Sequence, residues 1–504
     1  MRSHGIFISP LVLAILISLT GCGSSSSGSS SSTASSANEW TWEGGSNAGP
    51  MFGNYGIGVY GTQGVASTSN IPSAREGSVC WTDSSGNFWL FGGLESDSTG
   101  LPGYLNDLWK FDPVSNEWTW ISGNSTASTL FNVLPGVYGT LGVAAAGNLP
   151  GGRVGTVSWA DSSGNLWLFG GTGVDSTGNF GNLNDLWEFS PASKEWTWES
   201  GSSTREFSLT SVLPGVYGTL GVAAAANVPG ARSDAVSWTD RSGNLWLFGG
   251  YGYDAAGVSE YFLNDLWKFE PDTKEWTWMG GSNNLGVNGS GVSGVYGTLG
   301  TTAVGNVPGA RRGAVSWSDS IGNYWLFGGT GVDSNGSWGY LNDLWEFNAA
   351  TKEWTWVSGA NLVGTNGGVP GVYGTLGVPA AGNTPGSRYS AVSWTDSSGN
   401  LWLFGGLGFV PTGGEGEPLN DLWEFDPITK DWTWQSGVDW IGSTRGAPGV
   451  YGALGVAAAS NVPDGRVYSV SWIDGSGNLW LFGGEGVGSS GPYGYLNDLW
   501  KYQP

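Results

Sequence analysis

The sequence predicts an all-β chain of six repeated four-stranded units closed into a ring. Three repeated motifs predict it. Trp-Thr-Trp begins at Trp40, Trp118, Trp196, Trp276, Trp354 and Trp432, and Phe-Gly-Gly ends at Gly93, Gly171, Gly250, Gly329, Gly406 and Gly484. Leu-Asn-Asp-Leu-Trp begins at Leu105, Leu183, Leu263, Leu341, Leu419 and Leu496. The first Trp-Thr-Trp has no partner motifs before it, and the last Leu-Asn-Asp-Leu-Trp has no Trp-Thr-Trp after it. A ring accounts for that offset, because the N-terminal strand can complete the last unit.

Residues 153–198 serve as the model unit. Thr156 to Trp159 reads as a first strand and Asp161 to Asn165 as a tight turn. Leu166 to Phe169 is a second strand stopped by Gly170-Gly171, Leu183 to Phe189 a third, and Glu195 to Trp198 a fourth. All are short, aromatic or β-branched, and bounded by Gly, Pro, Asn or Asp. No stretch has helical periodicity.

The arginine before the first strand, the Gly-Gly after the second and the spaced aromatics of the third and fourth resemble the Kelch repeat. The resemblance covers residues 38–504 and implies a six-bladed β-propeller, with four strands per blade and the N-terminal strand closing the ring. The chain departs from the usual family period of about 50 residues, since Gly-Gly recurs every 77 to 79. The excess lies between one fourth strand and the next first strand. Its second half opens at Gly58, Gly136, Gly215, Gly294, Gly371 and Gly449, each 17 residues before an arginine, and is expected to be packed structure. Its first half varies. Strand alternation puts that half on the same face as the variable segments 94–104, 172–182, 251–262, 330–340, 407–418 and 485–495. A ligand is expected on this upper, loop-rich face.

Composition narrows the partners. Acidic residues outnumber basic ones, 41 to 18, for a net charge of −23, which disfavours nucleic acid and anionic lipid. Arg2, the apolar run from Ile6 to Leu19 and Leu19-Thr20-Gly21-Cys22 resemble a bacterial lipoprotein signal. That resemblance makes 1–21 a signal peptide and Cys22 the lipidated residue, with 22–37 a Ser-rich tether. Gly23 after the lipidated position implies the outer membrane over the inner. The lipid is then the only membrane contact, and the protein is expected to be a monomer. Beyond Cys22 only Cys80 remains, so the mature body has no disulfide; Cys80 is expected to be a small buried residue.

Thirty of the 32 tryptophans occupy repeated positions and are expected in the core. Trp338 and Trp440 sit in variable segments, where an indole serves either as a sugar platform or as a seal of the loop against the body. Arg75, Arg153, Arg232, Arg311, Arg388 and Arg466 have two readings. One is a structural contact in each unit with Asp107, Asp185, Asp265, Asp343, Asp421 and Asp498. The other is an anion site suited to an acidic sugar. Asp97, Asp175, Asp254 and Asp333 follow Gly-Gly by four residues, where turn capping is favoured over calcium, the one cofactor that these carboxylates suggest.

The sequence favours a surface-tethered binding module whose ligand is a polysaccharide or a protein. A carbohydrate-active enzyme resembling sialic-acid mutarotases, or a hydrolase, is one alternative, and an envelope scaffold is another. The copper-radical chemistry of galactose oxidase, a related Kelch-type propeller, has no basis here, because the only histidine, His4, lies in the signal segment. There is also no Ser/His/Asp set and no phosphate loop.

Overall fold

The short aromatic runs form strands throughout the computed structural model, which describes residues 37–47, 56–96, 102–128, 133–205, 212–286, 291–413, 415–441, 446–489 and 493–504. No helix occurs among the described residues. The expectations for residues 1–21, for Cys22 with its tether to residue 36, and for Asp97 lie outside them.

In the second repeat, Val157–Ala160, Leu166–Phe169, Leu186–Ser190 and Glu195–Ser200 form an antiparallel sheet in chain order. Equivalent four-stranded ladders are built from residues 79–122, 236–280, 315–358 and 392–436. Strands within 470–503 make a further ladder, and Glu39–Gly44 lies along its outer edge, with Trp40 opposite Tyr502 and Trp42 opposite Trp500. The third strand of the second repeat starts at Leu186, later than the expected Leu183. In the first, third and last repeats the corresponding strands Pro102–Asp112, Tyr261–Glu270 and Gly494–Gln503 run through the motif unbroken.

Three sets of hydrogen bonds join each repeat to the next. In the first, the residue two places after the repeat arginine donates its N–H to the same position one repeat earlier. Gly155 donates to Gly77, Asp234 to Gly155, Gly313 to Asp234, Ser390 to Gly313, Tyr468 to Ser390, and Gly77 to Tyr468. In the second, the hydroxyls of Ser158, Ser237, Ser316, Ser393 and Ser471 each donate to the preceding repeat's carbonyl. Cys80 stands at the sixth position, and its thiol donates to the Ser471 carbonyl at 3.2 Å. Cys80 is half-buried and not fully buried as expected, and desolvation still pushes its thiol up to about 12, which makes it a weak nucleophile. In the third, the indole N–H of Trp81, Trp159, Trp238, Trp317, Trp394 and Trp472 donates to the carbonyl of Trp167, Trp246, Trp325, Trp402, Trp480 and Trp89.

Apolar packing follows the same neighbours. Trp89 and Phe91 of the first repeat pack with Leu166, Leu168 and Phe189 of the second. Phe88 stacks on Trp472 at 5.2 Å, joining the first repeat to the last. Each buried indole removes a large apolar area from water, which makes these junctions the main store of stability.

The constant spacer is hydrogen-bonded to the body but only partly packed, contrary to expectation: in the second repeat Gly136, Tyr138 and Asn148 are buried while residues 139–147 are exposed. In the second repeat it runs beside the fourth strand, with Gly142 N–H donating to Trp198 and the Asn148 amide to Trp196. Its Tyr138 is buried, and the hydroxyl donates to Asp185 at 2.6 Å. Gly139 is required there, because it has φ 63° and a Cβ would meet Asn148 Oδ1 at 2.3 Å. In the last spacer the corresponding partners are Trp42 and Trp40.

Candidate functional site

Arg153 shows what all six repeat arginines do. Nε donates to Gly151 O, and Nη1 to Gly170 O and Asp185 Oδ1. Nη2 donates to Asp185 Oδ2. The same carboxylate accepts from Tyr138 and from the Trp187 indole at 2.7 Å. Arg75, Arg232, Arg311, Arg388 and Arg466 repeat the pairing with Asp107, Asp265, Asp343, Asp421 and Asp498, and all six arginines are at most 1% exposed. Burying a charged pair costs desolvation, which this dense set of donors and acceptors offsets. Burial, and after it the nearby Asp185 charge, pushes the Tyr138 hydroxyl far above its ordinary range. These guanidiniums present no face to an anion, so the structural reading of the arginines is the one their geometry supports.

The carboxylates after Gly-Gly hold loops. Asp175 Oδ1 accepts from the N–H of Thr177 and Asn179, while Oδ2 accepts from Arg205 in the segment after the fourth strand. Asp254 caps Ala256 and Gly257 and reaches Leu285 at 2.9 Å. Asp333 does the same with Asn335, Ser337 and Val363. Each is a side-chain-capped turn that staples one variable segment to another. The two kinds of variable segment therefore touch, and Thr412–Gly413 also pairs with Trp440–Ile441.

Trp338 is 63% exposed and Trp440 58%, and no other tryptophan is exposed. Trp338 opens the strand Trp338–Tyr340, which pairs with Thr330–Val332. Strand alternation puts Trp338 and Tyr340 on one face. Tyr340 stacks on Tyr389 at 5.3 Å, and Tyr389 meets Tyr468 at 6.0 Å. An aromatic path thus leads from Tyr340 to Tyr468 of the hydrogen-bonded cycle.

A second group of residues surrounds that cycle. The position after the repeat arginine is Glu76, Val154, Ser233, Arg312, Tyr389 or Val467, and the next is Gly77, Gly155, Asp234, Gly313, Ser390 or Tyr468. All six cycle positions have φ between 54° and 63°, which glycine adopts freely and Asp234, Ser390 and Tyr468 adopt at a cost. Glu76 hydrogen-bonds to Glu485, which accepts from the Tyr493 hydroxyl at 3.3 Å. Burial, then the charges of Glu485 and Asp234, push the Glu76 carboxyl up to about 8, so at neutral pH it keeps its proton. Arg312 lies 3.6 Å from Asp234 and 5.1 Å from the Tyr251 ring centre. The sequence contains the signal for this group: two positions that change from repeat to repeat directly beside an arginine that never does.

No protein-family model matches the chain, and no curated protein matches it.

Proposed function

We propose that residues 38–504 form a six-bladed, Kelch-type β-propeller, closed by the N-terminal strand, that binds a polysaccharide across its loop-rich face. The reading places the body at the bacterial envelope on a lipid at Cys22, in the outer membrane. The observation that carries it is the exposure of Trp338 and Trp440, while the other 30 tryptophans are buried or half-buried. An exposed indole costs solvation and gains it back when a sugar ring stacks on it. Tyr340 and Tyr389 extend the platform, and the Glu76, Glu485 and Arg312 groups offer hydrogen bonds to hydroxyls. A glycan array probed with the protein tests this: binding to a defined glycan class supports it, and silence across sugars turns the proposal to a protein partner.

The carbohydrate-active enzyme remains the second reading, because Glu76 is a carboxylic acid that retains its proton beside Glu485, a carboxyl that burial also raises. Arg312, whose Nε is buried without a hydrogen-bond partner, adds an electrophilic group. The pair is in hydrogen-bond contact, however, whereas glycoside hydrolases hold their carboxyls about 5 to 9.5 Å apart. Binding therefore has the stronger support.

A further inference from the structure

The grooves between successive repeats share a plan, and one of them has its charge reversed. Between the second and third repeats, Lys274 lies over the Trp167 ring at 4.7 Å and pairs with Glu199 at 2.8 Å and Glu188 at 3.2 Å. Glu270 and Asp272 line the same groove. Between the first and second repeats, the positions of Glu188 and Glu199 are Lys110 and Ile121, and those of Glu270 and Asp272 are Ser190 and Ala192. The lysine equivalent to Lys274 is Lys194, which thus loses both acids and gains a second ammonium group.

This groove encloses about 490 Å³ and is lined by both lysines, by serines 84, 85 and 163, and by Asn165. Its single carboxylate, Asp83, already accepts from Ser85 N, from Asn87 N and side-chain amide, and from the Trp89 indole. Neither Lys110 nor Lys194 has an ion pair among the described residues. At the junction of the third and fourth repeats two lysines also meet, but Glu270 holds Lys268 there at 2.5 Å. Asp112, at the position of Glu270 in the first repeat, is held below the usual carboxylate range by the N–H groups of Val114 and Ser115 and, more weakly, by the charge of Lys110, but it forms no ion pair with Lys110. In a chain of net charge −23, a cavity lined by two lysines and one carboxylate departs from its acidic surroundings.

We propose that this groove binds a phosphorylated or sulfated saccharide, with Lys110 and Lys194 on the tetrahedral oxyanion and the serine hydroxyls and Asn165 on the sugar. Two ammonium groups match the dianion of a phosphate monoester as point charges, and a sulfate ester, a monoanion, gains less from them. The volume lies within the usual range of small-molecule sites, about 300–1,000 Å³. Polar lining suits a ring of hydroxyls. The site is separate from Trp338 and Trp440 and does not depend on what they bind.

Calorimetric titration of the full-length protein in detergent, at low salt, tests this with glucose 6-phosphate, glucose 6-sulfate, glucose and inorganic phosphate. The esters should bind at one site and glucose should not. Lys110→Glu installs the acid of the second repeat, so Lys194 gains an internal partner and the fold is retained. It should weaken ester binding about tenfold or more, as should Lys194→Gln, while Lys352→Gln at the corresponding position of the fourth repeat leaves it unchanged. Absence of ester binding, or binding in Lys110→Glu and Lys194→Gln as tight as in the unsubstituted protein, would overturn the site. Inorganic phosphate binding as tightly as the esters would overturn the saccharide.

Discussion

Gly77 donates its backbone N–H to the carbonyl of Tyr468 at 2.9 Å, joining the first repeat to the last. The same junction carries the Cys80 thiol bond to Ser471 and the Trp472 indole bond to Trp89, while Trp40 pairs with Tyr502 within the last ladder and packs on Phe404 of the fifth repeat. If these contacts hold the array together, damage to the N-terminal strand should be felt by the whole fold. Trp40 is 1% exposed and packs against Phe404, Trp500 and Tyr502. Trp40→Ala should cost about 3–5 kcal/mol in chemical denaturation. An effect no larger than that of a surface substitution would contradict that role for the strand.

The repeat arginines are predicted to be structural. Arg232→Ala leaves Asp265 buried with only Tyr217 and Trp267 as partners. The expected loss is about 3–5 kcal/mol, because a charge is then buried without its counter-ion. Replacing Arg232 and Asp265 together with apolar residues of similar volume should cost less than the single change. The comparison is made by denaturant titration of both variants.

Much of this was legible in the residues. The motif offset predicts the partner of Glu39–Gly44, and the constant Arg and Asp of each repeat predict their pairing as one of two readings. What the sequence left open depends on groups brought together from distant segments. Tyr138 reaches Asp185 from a spacer whose Gly-Val-Tyr-Gly pattern specifies no regular element. Glu76 meets Glu485 only because their repeats are adjacent, and neither residue carries a motif. The reversed groove at Lys110 and Lys194 shows only when repeats are aligned and then placed side by side.

Glu76 sets a pH dependence. Its folded carboxyl is raised to about 8, above its ordinary value, so the folded state binds this proton more tightly than the unfolded chain. Its contribution is present below the unfolded value and is lost as pH rises towards 8. The thermal midpoint should therefore fall between about pH 5 and 8. Glu76→Gln, which keeps a hydrogen-bond donor for Glu485, should flatten that slope. A wild-type slope unchanged in Glu76→Gln would remove the shared proton.

The loop face is tested most directly by removing its two exposed indoles. Trp338→Ala and Trp440→Ala should each leave the thermal midpoint nearly unchanged, within about 0.5 kcal/mol of stability, because neither indole is part of the core. The decisive measurement is the affinity of the double variant for whichever glycan the protein selects on the array. The account predicts that binding falls by at least about a hundredfold, since aromatic anchors at the centre of a contact carry about 2 kcal/mol or more each. Binding that survives in the double variant at its original strength would contradict it.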